Sequence, residues 1–138
     1  MKEYSINTDH AHTLQEPSEA YQPANYFIMA SHAISKGYIK QVLALSRLSL
    51  SELIQIIPIS IDTYKRKSEF SPAVTEKVLE IEETYRRGLE AFGDGFYAWM
   101  DTINVALGGV KPKSLLSNSF GVRRLLEQIG RIEHGVLA

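Results

Sequence analysis

A chain of 138 residues, with 44% apolar and 22% charged residues, can bury a core as one domain or as two very small ones. Cysteine is absent, which excludes disulfides and thiolate metal sites, and the formal net charge of −1 limits nucleic-acid binding to a local basic patch. No apolar run is long enough to span a membrane or to form a secretory signal, so we expect a cytoplasmic protein.

The first 23 residues are polar, contain Pro17 and Pro23, and show no sustained helical stripe. This pattern predicts a mobile N-terminal arm over residues 1–23, with a short helix in "HTLQEPSEAY" as the alternative. From residue 24 onward, apolar side chains recur at helical spacing. They predict one helix that ends near Gly37 and a second helix that buries Ile39 and Val42.

The clearest local signal lies in "LSLSELIQIIP". Ser49 and Glu52 have the spacing of a capping box, and Leu48 and Leu53 have the spacing of a hydrophobic staple. Pro58 has no backbone N–H to continue that helix. A short helix, a tight turn and a second short helix together indicate a helix-turn-helix.

The second short helix, in "SIDTYKRKSEF", is basic and can be capped by Ser60. In a helix-turn-helix this element enters the DNA major groove with its first residues nearest the bases, and its cations can contact guanine or phosphates. The alternative is a solvated charged face. The candidate DNA-binding residues are Ser60, Asp62, Thr63, Tyr64, Lys65, Arg66 and Lys67.

The longest predicted helix is "SPAVTEKVLEIEETYRRGLEAFG", with Ser71 as its cap, Pro72 in its first position and Gly93 at its end. Gly88 inside this helix costs about 1 kcal/mol relative to alanine. Its presence indicates either close packing against another helix or a kink.

Shorter segments follow the long helix. Asp94 can cap a helix in "GFYAWMDTINVAL", with Ile103 on its inward stripe and Gly108-Gly109 at its end. Pro112 can begin a single helical turn, and Asn118 can cap the last helix. With no strand pattern in the chain, the predicted fold class is all-α.

These C-terminal residues resemble a known family. The motifs occur in the order Phe92-Gly93-Asp94, Trp99, Leu107-Gly108-Gly109, Pro112, Leu115-Leu116, Gly121 and Arg131-Ile132-Glu133-His134-Gly135-Val136. This order resembles the C-terminal toxin-binding domain of Xre/MbcA/ParS-type antitoxins. Two positions depart from the family pattern: Pro58 stands where the family turn has glycine, and Lys113 follows Pro112 where the family has an apolar residue.

The resemblance implies the antitoxin of a type II toxin–antitoxin pair, with an Xre-like helix-turn-helix region over 24–93 and a toxin-binding domain over 94–138. It implies a cognate toxin of the NAD-consuming RES type, operator DNA as a second partner, a homodimer, and repression of the protein's own operon. The residues that we expect to contact the toxin are Lys113, Arg123, Arg124, Arg131 and His134.

The chain contains no pattern that indicates catalysis. We find no paired carboxylates, no Ser-His-Asp set, no phosphate-binding loop and no metal-ligand spacing, so we expect no enzyme, no cofactor and no metal. Two other functions remain open: a DNA-binding regulator without a toxin, and a protein-interaction module that does not bind DNA.

Overall fold

The computed structural model describes residues 13–15 and 23–135, and this part of the chain is mostly helical, which confirms the predicted all-α class. The chain divides into two compact units, Met1–Glu82 and Glu83–Ala138, and the boundary between them lies within the longest helix. No helix in the described residues is long and apolar enough to cross a membrane.

Unit 1 contains short helices around one very small sheet. Two antiparallel strands of two residues each pair Ile34 with Phe70 and Ser35 with Glu69. Along the chain the elements are α1 (Pro23–Met29), β1 (Ile34–Ser35), α2 (Lys36–Ser46), α3 (Leu50–Ile54), α4 (Ile61–Arg66), β2 (Glu69–Phe70) and the first part of α5 (Pro72–Phe92).

The predicted capping box at the start of α3 is confirmed. The Glu52 backbone N–H donates to Ser49 Oγ at 3.1 Å, and the Ser49 N–H donates to Glu52 Oε1 at 2.9 Å. The helix ends at Ile54, earlier than predicted, and turns and bends occupy residues 55–59. The residue before Pro58 is pushed away from the helical region, so the chain leaves the helix before it reaches the proline.

A buried carboxylate joins three helices of unit 1. Glu82 of α5 is fully buried, and its two carboxylate oxygens accept hydrogen bonds from the hydroxyls of Tyr26 in α1 and Tyr38 in α2. A polar group in an apolar core is tolerated only when hydrogen-bond partners replace the lost water. The two phenols therefore fix where α1 and α2 meet α5.

Only residues 13–15 of the predicted N-terminal arm and its last residue, Pro23, lie within the described residues. Leu14 is buried, its N–H donates to Ala33 O at 2.8 Å, and its carbonyl accepts from Ser35 N at 2.9 Å. At these three residues the chain is therefore attached to β1 and is not a free arm. Residues 1–12 and 16–22 lie outside the described part.

Unit 2 contains the end of α5 followed by short elements. These are α6 (Gly95–Met100), 3-10 turns at Val105–Leu107 and Pro112–Ser117, and α7 (Ser119–Glu133). The predicted helix through Leu107 is wrong beyond Met100, and the Asp94 side chain makes no cap hydrogen bond. The Asp, Thr and Asn of residues 101–104, "DTIN", are poor helix formers, and two of these side chains hydrogen-bond to nearby backbone. Thr102 Oγ1 donates to Ala98 O at 2.7 Å, and Asn104 Oδ1 accepts from Ala106 N at 2.9 Å.

Gly88 of α5 allows a close side-chain approach in unit 2. A Cβ atom built on Gly88 would lie 2.1 Å from the ring of Phe96, which is fully buried. The Phe96 ring also makes an edge contact with Tyr85 at 5.3 Å and stacks on Trp99 at 5.6 Å. Of the two explanations for Gly88, close packing is therefore the correct one.

Gly121 allows the start of α7 to rest on the preceding turn. A Cβ atom on Gly121 would lie 2.0 Å from the backbone oxygen of Leu115, well inside any tolerated contact. The Gly121 N–H donates to Asn118 Oδ1 at 2.9 Å, so the same residue receives the helix cap. Gly121 thus sets the position of α7 against the turn Pro112–Ser117.

We expect Gly121→Ala to destabilise unit 2 by about 3 kcal/mol or more, because the added methyl meets a backbone atom that cannot rotate away. Gly130→Ala is the matched control in the same helix. Its Cβ would meet only the flexible Arg87 side chain, at 3.5 Å, so it should be neutral or stabilise by up to about 1 kcal/mol. Thermal unfolding of both variants measures this, and equal midpoints would contradict it.

Candidate functional site

A tight loop follows α6 and is closed by its own backbone. The Asn104 N–H donates to Val110 O at 2.9 Å, and Asn104 O accepts from Gly109 N at 3.0 Å. The Asn104 side chain caps the 3-10 turn by accepting from Ala106 N at 2.9 Å. Gly108 and Gly109 have φ values of +90° and +79°, which a residue with a side chain rarely adopts. The loop is therefore closed by several hydrogen bonds and two special backbone conformations.

This loop presents apolar side chains to solvent. Val105 is 88% exposed, Ile103 is 64% exposed and Val110 is 38% exposed, whereas Leu107 turns inward and is 5% exposed. Single exposed apolar residues are ordinary, but three on one short closed loop make that loop a candidate for contact with a partner. We call Ile103, Val105 and Val110 the loop patch.

An open depression lies between the 3-10 turn Val105–Leu107 and α7. Arg124 connects its two sides, because its Nη2 donates to the carbonyl of Ala106 at 3.2 Å. The described residues that line the depression are Ala106, Leu107, Arg124, Glu127, Gln128 and Arg131. It therefore combines apolar walls, two guanidiniums and one carboxylate.

Another exposed pair lies at the start of α7. Phe120 is 76% exposed, and the guanidinium of Arg123 lies over its ring, 5.4 Å from the centroid. Such a contact orients both side chains without burying either, and aromatic and arginine side chains are enriched where proteins bind one another.

The five residues expected to contact a toxin lie at different places in unit 2 and make different contacts. Arg124 and Arg131 both line the depression, whereas Arg123 lies over Phe120. Lys113 forms an ion pair with Asp101 at 3.4 Å, and His134 is exposed just after α7. The structure brings only Arg124 and Arg131 into one depression.

A segment of unit 2 is similar to a known protein family. Residues 89–135 match the antitoxin Xre/MbcA/ParS C-terminal toxin-binding domain. The match supports the family indicated by the sequence motifs, and it includes the loop patch, the depression and all five residues expected to contact a toxin. No curated protein matches the chain.

The geometry explains several motif residues of this toxin-binding domain. Gly108 and Gly109 close the loop, and Pro112 occupies the first position of a 3-10 turn, where its missing N–H is harmless. Gly121 lets α7 approach Leu115. These motif residues therefore shape the backbone of the loop, of the 3-10 turn that follows it and of the start of α7.

The second candidate surface is α4 in unit 1. Asp62, Lys65, Arg66 and Lys67 are all exposed along this helix and its end. Lys65 O, near the end of the helix, accepts from Lys36 Nζ at 2.9 Å, which adds a nearby cation. The exposed side of α4 therefore carries an excess of positive charge.

Three of the candidate DNA-binding residues also hold α4 in place. Ser60 Oγ accepts from the Thr63 N–H at 3.2 Å and donates to Thr63 Oγ1 at 3.0 Å, so both side chains take part in the cap. Tyr64 is buried and its ring stacks on Phe70 at 5.6 Å. Burial raises the pKa of the Tyr64 phenol, which favours its neutral form. We therefore leave Tyr64 out of the proposed DNA contacts.

Sequence reasoning missed the loop patch and Phe120. Ile103 was expected to face inward on a continuous helix, and Val105 and Phe120 carry no polar signal that would single them out. Lys36 was missed because it is distant in sequence from α4. Within the described residues, no group of three or more His, Asp or Glu side chains is arranged to hold a metal ion.

We expect Asn104→Ala to loosen the loop, because Ala106 N–H loses the side-chain oxygen that caps the turn. The loss of a cap is worth about 1 kcal/mol, so amide hydrogens of residues 106–109 should exchange about fivefold faster. Val105→Ala is the control, since that side chain is exposed and makes no part of the cap. Unchanged exchange in Asn104→Ala would show that the loop does not depend on this cap.

Proposed function

We propose that this chain is the antitoxin of a type II toxin–antitoxin pair, and that it neutralises its toxin with the surface formed by the loop patch and α7. The observation that carries the proposal is the closed loop that exposes Val105 and Ile103 beside arginines, within the segment that matches a toxin-binding domain. A partner protein that covers these apolar side chains gains their burial, at about 25 cal/mol per Å².

The closed loop also favours tight binding. A flexible loop loses conformational entropy when it binds, whereas a loop already fixed by Asn104, Gly108 and Gly109 loses little. The arginines around the patch add charge that can select an acidic partner surface. The resemblance to the RES-associated subgroup makes an NAD-consuming toxin the partner that we propose.

We further propose that unit 1 binds operator DNA as part of a homodimer and represses the operon in the cytoplasm. Capped α4 presents Asp62, Lys65, Arg66 and Lys67 on one exposed element, with Lys36 nearby. A two-fold dimer would place two such helices about one DNA turn apart. In this proposal the chain itself catalyses no reaction, since it acts only through the two surfaces.

Val105→Asp should weaken toxin binding by at least about 30-fold, because it places a charge where the partner must cover an apolar side chain. The fold should be unaffected, since Val105 is 88% exposed. The measurement is the affinity of the purified full chain for the toxin encoded next to it, together with growth rescue in cells that express both. Arg66→Ala is the control and should rescue fully.

If Val105→Asp binds and rescues like the native chain, the loop patch is not the toxin-binding surface. If no toxin binds the native chain, the chain is not an antitoxin, and a DNA-binding regulator or another interaction module takes its place.

Arg66→Ala and Lys67→Ala should each weaken binding to the DNA upstream of the operon. Each phosphate contact that is lost should reduce the slope of log affinity against log salt by about 0.9. Lys111→Ala removes the same charge from an exposed position in unit 2 and should leave the slope unchanged. Equal slopes for all three variants would show that α4 is only a solvated charged face.

A further inference from the structure

We propose that the depression between the turn Val105–Leu107 and α7 receives a carboxylate of the toxin, an Asp or Glu side chain, which Gln128, Arg124 and Arg131 bind together. This inference rests on the proposed function for the source of the carboxylate. The preference for a carboxylate follows from the residues of the depression alone.

Gln128 is the central residue of the proposed carboxylate site. It is only 6% exposed, it lines the depression, and within the described part of the chain its amide makes no hydrogen bond. A buried amide without a hydrogen-bond partner destabilises the fold. The neighbouring positions in α7, Leu125 and Ile129, carry apolar side chains that are fully buried. Gln128 therefore has a donor that the fold leaves available for a group from outside.

The two arginines lie one on each side of Gln128 along the helix. Arg124 and Arg131 are seven residues apart, about 10 Å along the axis, so their long side chains can converge over the position between them. Arg124 is already held by the Ala106 carbonyl, and Arg131 forms no ion pair with any described residue. One guanidinium is thus fixed in place and the other is available to close over a ligand.

The balance of charge favours a carboxylate over a phosphate. The described lining holds two guanidiniums against the single carboxylate of Glu127. One added carboxylate makes the site neutral, whereas a dianionic phosphate would leave excess negative charge beside Glu127 in a partly desolvated site. Arginine forks also match the two oxygens of a carboxylate, which can accept paired hydrogen bonds.

The apolar residues around the depression would strengthen a contact between a carboxylate and the two arginines. Ala106 and Leu107 form apolar walls, and Val105 of the loop patch belongs to the same turn. A toxin surface that covers Val105 would also exclude water from the depression. Hydrogen bonds and ion pairs are stronger where water is excluded, so the apolar and polar contacts reinforce one another.

The first test uses acetate as the probe and does not depend on any toxin. The side-chain NH₂ resonances of Gln128 in the full chain are followed by NMR during titration with sodium acetate, against sodium chloride at the same ionic strength. We expect a saturable shift with acetate only, and its loss in Arg131→Gln. The absence of any acetate-specific shift would overturn the carboxylate site.

The second test separates a binding role of Gln128 from a structural one. Gln128→Met keeps a similar volume and removes the unpartnered amide, so the thermal midpoint should rise by about 3–6 °C. Affinity for the toxin should fall about 10- to 100-fold, because a hydrogen bond to a charged group is lost. Gln41→Met is the control, at an exposed glutamine of α2, and should change neither quantity.

The outcomes distinguish this inference from the proposed function. If the toxin binds native chain and Gln128→Met equally well, or if the midpoint of Gln128→Met falls, the inference is wrong while the antitoxin function stands. If the toxin does not bind the native chain at all, the function and the toxin as carboxylate source both fail. The acetate titration then decides whether the depression is a carboxylate site.

Discussion

The position of α7 in unit 2, and with it the surface that we propose to bind the toxin, depends on the close approach of Gly121 to the backbone of Leu115. There is no room for even a methyl group between α7 and the preceding 3-10 turn, so the start of the helix has one position. That position places Arg124 within reach of the Ala106 carbonyl, and this hydrogen bond in turn links the loop to α7. The depression between the turn Val105–Leu107 and α7 therefore depends on this one close backbone approach.

In the proposed carboxylate site, stability and binding place opposite demands on Gln128. Its neighbours Leu125 and Ile129 are apolar and fully buried, so we expect an apolar side chain at this position to make unit 2 more stable. Natural proteins accept such costs where a partner needs the group, and we propose the same explanation for the exposed apolar side chains of the loop patch. The two features lie in one part of unit 2, which is the physical reason for regarding them as one surface.

Unit 1 uses different interactions. Helices α1, α2 and α5 are joined by the buried Glu82 and two tyrosine donors, and α4 is held by its cap and by the buried Tyr64. The charged side chains Asp62, Lys65, Arg66 and Lys67 take no part in these contacts and are exposed. A chain with a net charge of −1 can thus still carry a local cationic surface.

The sequence by itself determined the features that depend on near neighbours. The capping box at Ser49 and the cap at Asn118 follow from spacings of three residues, and both are confirmed. The all-α class follows from helical periodicity, and Gly88 was correctly associated with close packing as one of two alternatives. The motifs after Phe92 indicated the domain that residues 89–135 match.

Only the tertiary structure decided which side chains face solvent and which meet across the fold. Helical periodicity continued through Ile103, but "DTIN" ended the helix and turned that residue outward, because local side-chain hydrogen bonds compete with the helix. Tyr64 lies in a charged stretch, yet its stacking on Phe70 buries it. Gln128 looks like any surface glutamine in sequence. Its burial, with no hydrogen-bond partner among residues 13–15 and 23–135, depends on how α7 packs against the turn Val105–Leu107, which no local pattern records.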